Sequence, residues 1–214
     1  MSEKDWFRKK SWTDREREDF FTHLRRARPA NRSQYLRIQA IELLEGKKPA
    51  NLHAAQTLLG MLVSEYPSPV EMASTYHTLG NCCDLLGEYD AAASWYRKSL
   101  DEQRSFPNVI DKAHLSFALM VAERQRHAEY DEALAALDEW RISAPLPVAV
   151  FQACAARAII HRNRGQNDLA IHWAKLALDA ADCTHSGFRY HPELGLVGDA
   201  QKHQIEQMRQ ILQV

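Results

Sequence analysis

Residues 73–106 read ASTYHTLGNCCDLLGEYDAAASWYRKSLDEQRSF, and their spacing decides the fold class. In the first half Tyr76, Leu79, Gly80 and Cys83 recur at helical spacing; in the second half Tyr89, Ala92, Tyr96 and Ser99 do the same. Gly87 stands between the halves, where a residue free to adopt a left-handed conformation ends a helix. The spacing predicts two amphipathic helices joined by a tight turn.

Weaker copies flank this unit at 36–69, 114–147 and 151–184. The first carries Leu52, Ala55, Leu59, Leu62 and Pro67; the next carries Phe117, Met120, Tyr130, Ala133, Leu137 and Pro145; the last carries Cys154, Ala158, Gly165, Ala170, Ala174 and Ala177. One alanine is common to all four: Ala55, Ala92, Ala133 and Ala170. A small residue is expected there because two helices crossing closely leave no room for a larger one. The separations are 37 residues from Ala55 to Ala92, 41 from Ala92 to Ala133 and 37 from Ala133 to Ala170.

The 73–106 unit closely resembles the tetratricopeptide repeat, with its aromatic, Leu-Gly, aromatic, alanine and aromatic positions over about 34 residues. The outer copies depart from that pattern. Glu42 and Leu43 stand where Leu-Gly is expected, as do Arg157 and Ala158, and Asn167 replaces the tyrosine. Against a 34-residue period the extra residues amount to about one or two helical turns, so lengthened helices are expected to keep their facing. The resemblance implies an all-α fold, an α-α superhelix (solenoid) of about four helix pairs with capping helices at both ends. Helices are expected near 13–28, 33–46, 50–65, 69–86, 88–104, 108–127, 130–142, 146–164, 167–182 and 199–212.

The flanks read as caps, 1–32 before the repeat region 33–184 and 185–214 after it. Thr13 and Glu16 make a capping box ahead of Phe20, Phe21 and Leu24. Ile205, Met208, Ile211 and Leu212 form a narrow apolar stripe suited to closing a stack. Asp5-Trp6-Phe7-Arg8, with Trp12 after it, is similar to the start of some bacterial tetratricopeptide proteins. These aromatics are expected to fold back as packing, with a hook for a partner as the sharper alternative.

With 214 residues, 45% of them hydrophobic, the chain can bury a sizeable core. The formal net charge of −1 does not point to a nucleic-acid binder. The charge is uneven: 13 Lys+Arg and 8 Asp+Glu in residues 1–48, against 14 and 20 in the remainder. No apolar leader and no membrane-length apolar run is seen, and Cys82, Cys83, Cys154 and Cys183 have no disulfide-framework spacing. A reducing cytoplasm is the expected compartment.

Catalytic chemistry finds little support. No phosphate loop, dinucleotide fingerprint or zinc-protease signature is present. Gly195-Leu196-Val197-Gly198 reads as a loop before the last helix. Cys183, His185 and His191, with His172, match no common zinc spacing, so no metal and no cofactor is expected. Cys82 and Cys83 are expected in the core rather than as nucleophiles.

In the tetratricopeptide family the first helix of each pair lines a concave surface. The resemblance carries that role onto Arg37, Lys48, His77, Asn81, Arg126, Gln152 and Arg162 as partner-binding residues. Around them it places a floor of small and apolar residues, including Ala40, Leu115, Ala118, Ala122, Ala155 and Ile159. Only Asn81 matches the family's carboxylate clamp. The expected role is thus a non-catalytic adaptor or scaffold that holds a partner protein, an acidic one by the basic rim, with a second copy of the chain among the admissible partners. The alternative is a dedicated inhibitor or immunity protein that neutralises a cognate toxin.

Overall fold

The computed structural model describes residues 5–139 and 146–213. The last residues of the 130–142 helix expected above, and Pro145, lie outside them. Among the described residues the fold is all-α, with ten α-helices: α1 Asp14–Arg26, α2 Pro29–Glu45, α3 Pro49–Glu65, α4 Pro69–Leu86, α5 Tyr89–Ser105, α6 Ala113–Glu123, α7 Tyr130–Asp138, α8 Pro147–Asn163, α9 Asn167–Ala181 and α10 Lys202–Leu212. No strand occurs among the described residues. The chain divides into two compact units, one ending at Ala113 and the other starting at His114.

Local chemistry explains where the helices begin. α2, α3, α4 and α8 each have proline in the first turn, where its fixed φ suits a helix and its missing N–H costs nothing. Pro29 is why α2 starts four residues before the expected 33. α1 opens with the expected capping box: Thr13 Oγ1 accepts from the Glu16 N–H, and Glu16 accepts from the Thr13 N–H.

Three helices end alike. Gly87, Gln125 and Gly165 take φ of 79°, 52° and 72°. Each donates its N–H to the carbonyl three residues back, and the next residue donates five back: Glu88 to Cys83, Arg126 to Val121, Gln166 to His161. These bonds satisfy carbonyls that the helix end would otherwise leave bare. α4, α6 and α8 thereby turn into α5, α7 and α9, and a short 3-10 turn, His127–Glu129, intervenes only before α7.

The expectation of lengthened helices fails in the middle of the chain. α6 starts at 113 rather than 108 and ends at 123 rather than 127. The extra residues between Ala92 and Ala133 lie in the 106–112 connection and the 3-10 turn. The connection is held by hydrogen bonds rather than helix: the Asp111 N–H donates to Gln103 Oε1 at 2.7 Å, and Ser74 Oγ donates to Asp111 Oδ2 at 2.6 Å.

In the first unit, α2 packs on α3, α4 on α3, and α5 on α4. Phe20, Leu36, Leu43, Leu59, Leu62 and Cys82 fill its core. Ala55 and Ala92 are fully buried, as are Ala133 and Ala170 in the other unit. The Tyr96 ring packs against Gly80, filling the space where a Cβ would stand. In the second unit α8 pairs with α9, and α10 lies mainly on α9 and less on α8. α4 rests mainly on α3 and less on α2 in the same manner. Gly195 seats the loop before α10 against Leu146, and its carbonyl accepts from the Val148 N–H at 2.8 Å.

Trp6, Phe7 and Trp12 are packing residues. Trp6 lies 5.2 Å from Phe20 and 4.9 Å from Tyr35 between ring centroids, and Trp12 lies 5.4 Å from Phe20. The fully buried Gln39 side chain clamps this segment, donating to the Lys9 carbonyl at 2.7 Å and accepting from the Lys9 N–H at 3.0 Å. A backbone held at both its donor and acceptor is not a loose hook.

Candidate functional site

The seven side chains expected to bind a partner fall on both units. In the first, Arg37 of α2 is half-buried and pairs with Glu71 of α4. His77 of α4 pairs with Asp111 of the 106–112 connection. Asn81 Oδ1 accepts from the Tyr96 hydroxyl at 2.9 Å. Lys48 lies beyond the end of α2, exposed at the start of α3, so it does not share the face of Arg37. The cause is the helix stop at Glu45 followed by left-handed Lys47.

In the second unit Arg126 lies past the end of α6 and pairs with Glu129. Gln152 is half-buried near the start of α8, and Arg162 lies in its last turn. Ten residues of helix separate these two by about 15 Å, so they do not form one site. Arg162 Nη1 donates to Asn167 Oδ1 at 2.8 Å, a neutral partner. The lining of small residues expected around these groups is not an open floor. Ala40, Leu115, Ala118, Ala122, Ala155 and Ile159 are buried; at the alanines the small side chain lets a neighbouring helix pack closely over it.

Sequence reasoning missed the carboxylates opposite these cations. Glu71 and Asp111 come from other elements, and no periodicity within a single helix announces them. Only Arg126 and Glu129, three residues apart, left a local signal. Asp111 is the most constrained of the three. Burial alone would raise its pKa, but the His77 imidazole, the Ser74 hydroxyl and the Lys112 N–H together bring it down to about 2.

Cys82, Cys83 and Cys154 carry no activated thiol. Burial pushes Cys82 up to about 12 and Cys154 up to about 11, and it raises Cys83 as well. Each stays protonated at neutral pH, the unreactive form. Cys82 Sγ donates to the Leu52 carbonyl at 3.0 Å. In the 182–198 loop, His185 Nδ1 accepts from the Gly187 N–H at 2.9 Å, and Ser186 Oγ donates to the His191 carbonyl at 2.8 Å. Among the described residues no three His, Cys, Asp or Glu side chains group so as to hold a metal ion. No helix among them is long and apolar enough to cross a membrane.

No family model, curated protein or solved structure matches this chain.

Proposed function

We propose that the chain is a tetratricopeptide-like array of helix pairs that works without catalysis, as an adaptor holding a segment of a partner protein. The observation that carries this reading is the recurring turn at Gly87, Gln125 and Gly165, with the same two backbone hydrogen bonds each time. The four buried alanines at Ala55, Ala92, Ala133 and Ala170 agree with it, as does α10, which rests on α9 and α8 as α4 rests on α3 and α2. In this reading α10 occupies the place of one further first helix and closes the array.

The first helices present polar groups already held in place: Arg37 by Glu71, His77 by Asp111, Asn81 by Tyr96. Side chains fixed before binding lose less entropy when a partner arrives. Their carboxylate neighbours make this face mixed in charge rather than basic, so the acidic part of a partner is assigned to Arg162.

The test begins with co-purification of the partner and mass spectrometry. Arg37→Gln, Asn81→Asp and Gln152→Glu are then compared with Lys175→Glu on α9 and His185→Ala in the loop, all as folded full-length chains. The first three are expected to weaken binding at least tenfold and the other two to leave it unchanged. The reverse pattern refutes the proposal.

A further inference from the structure

The C-terminal turns of α8 and α10 enclose an open cleft of about 310 Å³, lined by Ile159, Arg162, Asn163, Gln207, Gln210 and Ile211. Its chemistry is selective: three side-chain amides, one guanidinium, two branched apolar side chains and no carboxylate. Gln207 Oε1 is buried and accepts no hydrogen bond among the described residues. A buried amide oxygen without a donor is costly, so an occupant bringing an N–H is favoured there. Asn163 Nδ2 is committed to the Tyr130 hydroxyl at 2.8 Å, which fixes that amide as part of the wall.

Arg162 is the second directing group. Its Nη1 is held by Asn167 Oδ1, and it makes no ion pair among the described residues. Arg37 and Arg126 each face a carboxylate, so Arg162 differs from both. Its unit charge exceeds the roughly half-unit negative charge at the end of α8. A guanidinium anchored on one side and open on another suits a carboxylate.

We infer that this cleft receives an extended peptide segment carrying an Asp or Glu beside an apolar residue. The acidic side chain meets Arg162, the Gln207 amide turns its occluded Oε1 to meet a main-chain N–H, and the apolar side chain rests over the small exposed edges of Ile159 and Ile211. The amides of Gln207 and Gln210 suit main-chain groups, as polar groups placed in an apolar cleft fix a ligand's orientation. This inference rests on the adaptor reading and names the place and chemistry of one contact within it.

The test is an NMR titration of the full chain with two pools of blocked pentapeptides, one with a central Glu and random flanks, the other with Gln in its place. The Glu pool is expected to shift the Arg162 Nε–H and the side-chain amides of Gln207 and Gln210, and the Gln pool to bind at least tenfold more weakly. Arg162→Gln should remove the preference while leaving the circular dichroism spectrum and melting temperature unchanged. Gln207→Leu provides a second variant and should weaken both pools. Equal binding of the two pools, no shift at the cleft, or full binding by Arg162→Gln overturns the inference. Shifts confined to α2 and α4 also overturn it while leaving the adaptor reading standing. Loss of the native partner in Arg37→Gln and Asn81→Asp, with a cleft that stays silent, separates the two claims in the same way.

Discussion

A methyl group added at Gly80 tests the central packing of the first unit. An ideal Cβ there would lie 2.4 Å from Tyr96 Cε1, 2.5 Å from Cδ1 and 3.0 Å from Cζ. The tyrosine is 1% exposed, and its hydroxyl donates to Asn81 Oδ1 at 2.9 Å, so both ends of the ring are held. In an open helix Gly→Ala stabilises by about 1 kcal/mol. Here the ring must retreat by about 1 Å to restore ordinary contact. Overpacking of that kind costs about 1–3 kcal/mol. Loss of the hydroxyl bond adds about 1 kcal/mol. The net expectation for Gly80→Ala is about 2 kcal/mol of destabilisation, which lowers Tm by about 4–8 °C for a chain of this size. Urea unfolding followed by circular dichroism measures it. In a Tyr96→Leu background the same substitution should become neutral or stabilising, because the obstructing ring is gone. A rise in Tm for Gly80→Ala in the otherwise unaltered chain refutes the argument, since it would mean that the ring does not press on Gly80.

Three further outcomes are expected. Ala92→Leu, at a fully buried position, should destabilise by about 1–3 kcal/mol through overpacking, and an unchanged Tm would dissociate the shared alanine from the helix crossing. Asp111 has its pKa held down near 2, so its contribution is present above the ordinary carboxylate value of about 4 and is lost as pH falls from there toward 2. Over that interval the original chain should lose about 2 kcal/mol more than Asp111→Asn, and parallel stability curves would remove the role assigned to the His77 pair. Gln125 pays for its left-handed backbone, so Gln125→Gly should stabilise by about 0.5–1 kcal/mol, whereas a loss would show that its side chain contributes more than the strain.

Read alone, the sequence determined the helical class and most helix positions, because a 3.6-residue apolar period, a capping box and a left-handed Gly87 are properties of neighbouring residues. The start of α2 is also a local property, set by Pro29; the limits of α6 are not, since Asp111 is held by Gln103 and Ser74 from other elements. The tertiary structure alone decided what the expected binding residues face. Arg37, 34 residues from Glu71, and His77, 34 from Asp111, acquire their partners only when the helices pack. The same holds for the cleft: Arg162 and Gln207 lie in helices separated by α9 and the 182–198 loop, and folding sets one beside the other. Local order follows from local spacing, whereas the charge and shape of a surface depend on which distant side chains the packed helices bring together.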